Sequence, residues 1–267
     1  MQGRLLPKYQ GRYQAHPVGY WKDEFDVAKE CGLDLIEFIF DFNEVEENPL
    51  LKSGGVDEIL NISKESGVEI KTICADYFME APLHSSDDNV VEKSFKILER
   101  LIESAKVLKI TDIVLPCVDQ SSLETKEAVI RLVKQITKIL PTIEKDNINL
   151  CLETDLAPKP FVELLEKLNS KNITVNYDIG NSAALGFNSD EELKSYGDRI
   201  TDIHIKDRVL GGGPVVLGKG NADFKKFFNK LKEFNYHGPF IMQAYRDEEG
   251  VKIFKKQLYW IKKYLYD

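Results

Sequence analysis

Three ionisable residues close three consecutive apolar runs of this 267-residue chain: Glu153 after INLCL, Asp178 after ITVNY and His204 after TDI. A charged group at the end of an apolar strand is costly to bury without a partner. Each residue alone has an ordinary explanation. Glu153 can pair with Lys206, Asp178 can cap a helix or turn before Gly180, and His204 can be a hydrogen-bonded core histidine. Equivalent positions on successive runs point instead to one shared partner. A divalent cation held by two carboxylates and an imidazole satisfies all three, and Mn, Mg, Co and Zn each accept mixed nitrogen and oxygen ligands.

The ends of the other runs add Arg4, Glu37, Asp76, Asp119, Lys206 and Gln243. The Gln243 amide oxygen can ligate a metal or meet a substrate hydroxyl, but it carries no charge and cannot act as a base. Glu37, inside IEFIF, is a lone acid in a buried run and calls for a basic partner, Arg4 or Lys206. Lys206 can donate to a developing oxyanion, and an ion pair with Glu37 is its simpler alternative. Arg4, Asp76, Asn181 and Arg208 are the candidates for substrate contact. Residues 207–224 (DRVLGGGPVVLGKGNADF) read as a glycine-rich, flexible loop that lets backbone approach a ligand. The loop runs into a helix start, where free N–H groups favour anions.

The elements that must position these residues alternate along the whole chain. Short β-rich runs fall at 2–6, 34–39, 69–74, 112–116, 148–153, 173–178, 201–206 and 239–245. They are often apolar on consecutive positions, as strands buried on both faces of a parallel sheet are. Between them, apolar residues recur every three or four positions at 88–108, 124–140, 222–234 and near the C-terminus, which predicts amphipathic helices. Gly32 and Gly67 are placed as C-terminal caps, and Asn221 and Asp223 bracket a helix start. The expected fold is α/β: one (β/α)8 TIM barrel spanning residues 1–267 as a single domain, with its active site at the C-terminal ends of the strands. No G-x-G-x-x-G follows the first run, which argues against a dinucleotide-binding sheet.

A net charge of −8 is the wrong sign for a protein that neutralises many phosphates, so nucleic acid is not an expected partner. The four cysteines are far apart and read as free thiols in a reducing compartment. No run is long enough to span a membrane and the N-terminus lacks an apolar leader, so the expected location is cytoplasmic.

The series LCLETD, NYDIGNS, DIHIKDR and LGKGNADF resembles the xylose isomerase-like TIM-barrel superfamily. That superfamily holds sugar (phosphate) isomerases and epimerases, inosose dehydratases, hydroxypyruvate isomerases and endonucleases of the AP endonuclease family 2 type. MQGRLLP, IEFIFD and CADYF are similar to one sugar-isomerase sub-branch, and the resemblance covers nearly the whole chain. It implies that the family's glutamate, aspartate and histidine ligands match Glu153, Asp178 and His204. The fourth ligand, usually a glutamate on the last strand, is Gln243 here. A histidine common just after the aspartate is Asn181. In the ketose 3-epimerases two glutamates flank the substrate and exchange its proton from opposite faces, and only Glu153 of that pair is present. A two-base epimerisation then needs Glu37, Asp76 or a water as substitute, whereas a one-base proton shuttle through an enediol does not.

The resemblance thus implies a divalent-metal-dependent isomerase or epimerase of a small sugar or sugar phosphate, working through an enediolate. Glu153, Lys206 and Glu37 would be its catalytic residues. Glu153, Asp178, His204 and, more weakly, Gln243 would be its ligands. The alternatives are a dehydratase or lyase acting on a polyhydroxy carbonyl compound, and a non-catalytic sugar-binding barrel. Endonuclease activity is opposed by the acidic charge and by the scarcity of histidines. Barrels of this kind often pair, so a homodimer is compatible with the reading.

Overall fold

Seven of the eight apolar runs form strands in the computed structural model, which describes residues 5–248 and 250–265. They are β1 (Leu35–Ile39), β2 (Glu69–Cys74), β3 (Asp112–Cys117), β4 (Asn149–Thr154), β5 (Ile173–Asp178), β6 (Ile200–Ile205) and β7 (Phe240–Met242). All pair in parallel, in sequence order. The expected strand at 2–6 is not found as such. Residues 2–4 lie outside the described residues, and Leu5 and Leu6 form a buried bend.

The α-helices are α1 (Asp23–Glu30), α2 (Gly55–Ser66), α3 (Tyr77–Glu80), α4 (Asp88–Leu108), α5 (Lys126–Asp146), α6 (Pro158–Leu168), α7 (Ile179–Leu185), α8 (Ser189–Tyr196), α9 (Phe224–Leu231) and α10 (Val251–Leu265). The stripe read at 88–108 is the buried face of α4, where Leu98, Leu101, Ile102 and Ala105 are fully buried. Fully burying one such leucine stabilises the fold by about 1.5–3 kcal/mol. Gly67 ends α2 in left-handed backbone (φ 76°), and Asp223 caps α9 by accepting a hydrogen bond from the Lys226 N–H.

The sheet curls into a nearly closed TIM barrel. A side chain of β1 (Glu37) meets one of β6 (His204) inside it, although these strands stand far apart in the strand order. Parallel strands are buried on both sides here, and every residue of β3 and β5 is buried. Two register shifts, between Ile36 and Glu37 and between Val175 and Asn176, set the level of the strand ends. The second brings Asp178 directly beside His204.

Candidate active site

Alternation of side chains along a strand decides which residues point into the barrel. On β5 Asn176 and Asp178 share one face; Asp202, His204 and Lys206 do so on and just beyond β6. Together with Glu153 of β4 they converge under the C-terminal ends of the strands. Glu153, Asp178 and His204 are all buried, and each offers a ligand atom within 4.8 Å of the others. The three residues singled out in the sequence are therefore brought together.

A close hydrogen-bond network holds them. Asn176 Nδ2 donates to Glu153 Oε2 at 2.9 Å and lies 3.1 Å from His204 Nδ1. Asn181 Nδ2 donates to Glu153 Oε1 at 2.7 Å. The Asn181 N–H donates to Asp178 Oδ1 at 2.8 Å, so Asp178 caps α7 and belongs to the cluster at once. Lys206 Nζ lies 3.2 Å from Asp178 Oδ2 and 3.4 Å from Gln243 Oε1. Gly180 is required beside it, since a Cβ there would stand 2.8 Å from Lys206 Cγ.

The charges are matched unevenly. Burial pushes the Glu153 carboxyl up to about 7; Asp178 and Asp76 push the same way, while His204 and Lys206 oppose them. Burial also raises Asp76, which accepts a hydrogen bond from Gln14 at 2.8 Å. For His204 burial favours the neutral ring, but the carboxylates of Glu37, Glu153 and Asp178 outweigh it and the net shift is upward.

A cavity of about 600 Å³ opens above this cluster. Glu153, Lys206, Gln243, Asn181 and Asp76 line it, as do Arg12, Gln14 and Asp41 from the loops that flank α1 and β1. Arg12 is half exposed at the opening, with one contact of 3.4 Å to Asp41. Asp119 lines the wall in left-handed backbone (φ 49°).

Several expectations need correction or relocation. Glu37 does not pair with Lys206; it meets His204 Nε2 at 2.9 Å and accepts from Thr72 Oγ1 at 2.8 Å, because it lies deeper in the barrel than the lysine. Glu37 is fully buried and does not line the cavity. Arg4 lies outside the described residues. Arg208 also stays off the cavity wall: its Nη1 donates to Asn181 Oδ1 at 2.9 Å and its Nε to the Gly212 carbonyl at 2.9 Å. It therefore steadies Asn181.

The glycine-rich loop is tied down. The fully buried Asp207 accepts from the N–H groups of Gly218, Gly220 and Ala222 at 2.8, 2.9 and 3.1 Å. A Cβ on Gly220 would stand 2.2 Å from that carboxylate, so this glycine makes room for Asp207. Asn176, Asp202 and Asp207 are not among the site residues expected from the sequence. The signal for the first two was there: polar residues at every second position of runs otherwise rich in apolar ones.

Comparison with known proteins agrees with this architecture. SgbU of Haemophilus influenzae, described only provisionally as an L-ribulose-5-phosphate 3-epimerase, is 28% identical over 243 residues, covering 85% of each chain. The L-ribulose-5-phosphate 3-epimerase UlaE of Escherichia coli is 25% identical over 264 residues, covering 93% of this chain and 92% of its own. Among solved structures, the E. coli 3-keto-D-glucoside 4-epimerase YcjR superposes with a TM-score of 0.75 at 17% identity, covering 91% of this chain and 94% of that one. An IolI protein with a bound zinc atom superposes at 0.71 with 20% identity, covering 92% and 94%. A Mycobacterium smegmatis barrel in complex with magnesium also superposes at 0.71, with 17% identity, covering 93% and 89%. At these identities the solved structures show the shared fold alone. The barrel with its polar mouth agrees with a family profile that matches residues 25–264, and the chain belongs to the xylose isomerase-like TIM barrel family.

Proposed function

We propose that this protein is a divalent-metal-dependent epimerase of a ketose or ketose phosphate, acting through an enediolate. The observation that carries the reading is the convergence of Glu153, Asp178 and His204 into one buried cluster, which Glu153 joins to a sugar-sized cavity. The relatives named as L-ribulose-5-phosphate 3-epimerases support it.

The donor set fits a cation. Two carboxylates and an imidazole are a borderline-hard set suited to Mn, Co, Zn or Mg, and the Gln243 carbonyl oxygen is a weak fourth donor. Once bound there, such an ion would act as a Lewis acid for the substrate's carbonyl and hydroxyl oxygens. The remaining chemistry belongs to this chain's residues. Glu153, buried and held by two amide donors, takes the proton from the carbon beside the carbonyl, and the electron pair moves into the enediolate. Lys206 donates toward the oxygen that gains charge. Inversion requires that a proton return to the other face. Gln243 has none to give, so Asp76, whose carboxyl also lines the cavity, delivers it. Glu153 ends protonated and Asp76 ionised, and exchange with solvent resets both. Arg12 at the opening would meet the phosphate of a phosphorylated substrate.

Gln243 also favours a second reading. If no group serves the second face, the enediolate collapses by aldose–ketose isomerisation or by loss of a β-hydroxyl, using Glu153 alone.

The deciding experiment measures metal content of wild type, Asp178→Ala and His204→Ala, followed by incubation of loaded enzyme with ketopentoses and their phosphates in D2O. One equivalent in wild type, lost in both variants, with deuterium entering C3 of an epimerised product, is expected. Isomerised or dehydrated product would favour the second reading. No metal and no exchange would reject the proposal.

A further inference from the structure

His204 has two ring nitrogens, and the barrel gives them different company. Nδ1 lies on the side of the cavity-lining Glu153, 3.6 Å from Glu153 Oε2 and 3.1 Å from Asn176 Nδ2. Nε2 lies across the barrel beside Glu37 Oε1, 2.9 Å away. The other Glu37 oxygen accepts from Thr72 Oγ1 on the adjacent strand, so the carboxylate is fixed from a second side. Glu37 and His204 are both fully buried, and neither water nor substrate comes between them.

The partners on the two nitrogens agree on where the ring proton sits. A carboxylate only accepts hydrogen bonds, so the 2.9 Å contact favours a hydrogen on Nε2, although the two atoms are not aligned as a regular hydrogen bond. An amide nitrogen only donates. Asn176 Nδ2 is identified as the amide nitrogen because it also serves Glu153 Oε2, so the ring nitrogen facing it must present a lone pair. Each constraint was built by a different strand, and both select the Nε2–H tautomer.

We infer that Glu37 is a positioning residue: it favours His204 as the Nε2–H tautomer and so leaves the Nδ1 lone pair on the side of Glu153. Once the ring is neutral, the tautomer is a property of the protein without any ion. Its consequence, that Nδ1 is the ligating nitrogen, rests on the metal reading proposed above. A buried carboxylate behind a ligating imidazole orients the ring and raises its basicity, and its loss typically costs about 10–100-fold in metal affinity.

The neighbouring carboxylate poses a rival explanation. Glu37, Asp202 and His204 also offer ligand atoms within 4.8 Å of one another, with no cavity above them, so these residues could serve a second cation. The experiment separates the cases.

Histidine-15N-labelled, metal-free protein is examined near pH 8 by two-dimensional 15N–1H correlation, with the His204 signals assigned by their loss in His204→Asn. Wild type should show the Nε2–H pattern. In Glu37→Gln, whose amide can turn a donor toward Nε2, and in Glu37→Leu, which removes the acceptor while keeping the core filled, that pattern should disappear or become mixed. Mn2+ titration should then show affinity reduced about 10–100-fold in Glu37→Gln at unchanged stoichiometry. An Nδ1–H pattern in wild type, or an unchanged pattern in both variants, overturns the proposal. Two equivalents in wild type falling to one in Glu37→Gln overturns it in favour of a second cation. Absence of any Mn2+ binding to wild type counts against the metal site alone, because the tautomer result still decides the role of Glu37.

Discussion

At the scale of single residues, the mouth of the barrel divides its work between groups that touch substrate and groups that hold them. Asp76 is the carboxyl that the proposed reaction needs on the second face. Asp76→Asn keeps the shape and removes the exchangeable acid. It should lower kcat for epimerisation at least about 100-fold, as loss of a general acid–base group does, while substrate-dependent exchange initiated by Glu153 persists. Equal loss of exchange and epimerisation would place Asp76 in binding or structure instead. Arg12 tests the charge of the substrate. Among the described residues, five acids (Asp41, Asp76, Glu80, Asp119 and Glu153) but two cations (Arg12 and Lys206) line the cavity, and Lys206 is already engaged by Asp178. A phosphate is therefore poorly received without the guanidinium. Arg12→Met should raise KM about tenfold or more for a ketose phosphate and little for the free ketose. Matching changes for both substrates would remove Arg12 from phosphate recognition.

At the scale of elements, the loop that follows β6 behaves differently from its glycine content. Asp207 gathers three backbone N–H groups of that loop in a fully buried position. Hydrogen bonds to a charged acceptor are stronger than neutral ones, and removing the acceptor leaves three part-buried donors without it. Asp207→Ala should destabilise the fold by about 3 kcal/mol or more, read as a shift of the urea midpoint. The nearby Arg208–Asn181 contact should loosen with it, since Arg208 adjoins the lost anchor. A midpoint within error of wild type would show that this loop does not depend on its aspartate. Alternation explains why β4, β5 and β6 deliver chemistry at their ends and structure elsewhere: neighbours on one strand, such as Tyr177 and Asp178, face opposite layers.

At the scale of the whole molecule, two buried groups outside the Glu153–Asp178–His204 cluster bend the pH dependence of stability in opposite senses. His16 packs against Trp21 and Phe38, and burial lowers its imidazole to about 4. The unfolded chain then binds that proton more readily. The stability it contributes is complete above pH 6.5 and is lost as pH falls through about 4. Burial raises Glu24 to about 7, so the folded chain holds that proton more tightly. Its contribution is complete below pH 4.5 and is lost as pH rises through about 7. His16→Phe should therefore flatten the acid limb, and Glu24→Gln should flatten the fall in stability between pH 4.5 and 7, each by about 1–3 kcal/mol. Denaturant midpoints measured across pH check both, and parallel curves for wild type and variant would refute the corresponding assignment. Among the described residues no helix is long and apolar enough to cross a membrane.

By itself the sequence determined the barrel and three of its central residues. Apolar runs alternating with amphipathic stripes are local patterns, and burial on both faces leaves parallel strands few other places to go. Glu153, Asp178 and His204 were legible because each ends a run where no polar residue belongs without a reason. The tertiary structure alone decided who partners whom. It set Glu37 against His204 rather than Lys206, moved Arg208 behind Asn181, and turned a glycine-rich segment into a loop pinned on Asp207. Those contacts join residues on different strands and loops, and their levels depend on two register shifts and on how far the sheet closes. Such quantities are sums over the whole barrel, and no local spacing carries them.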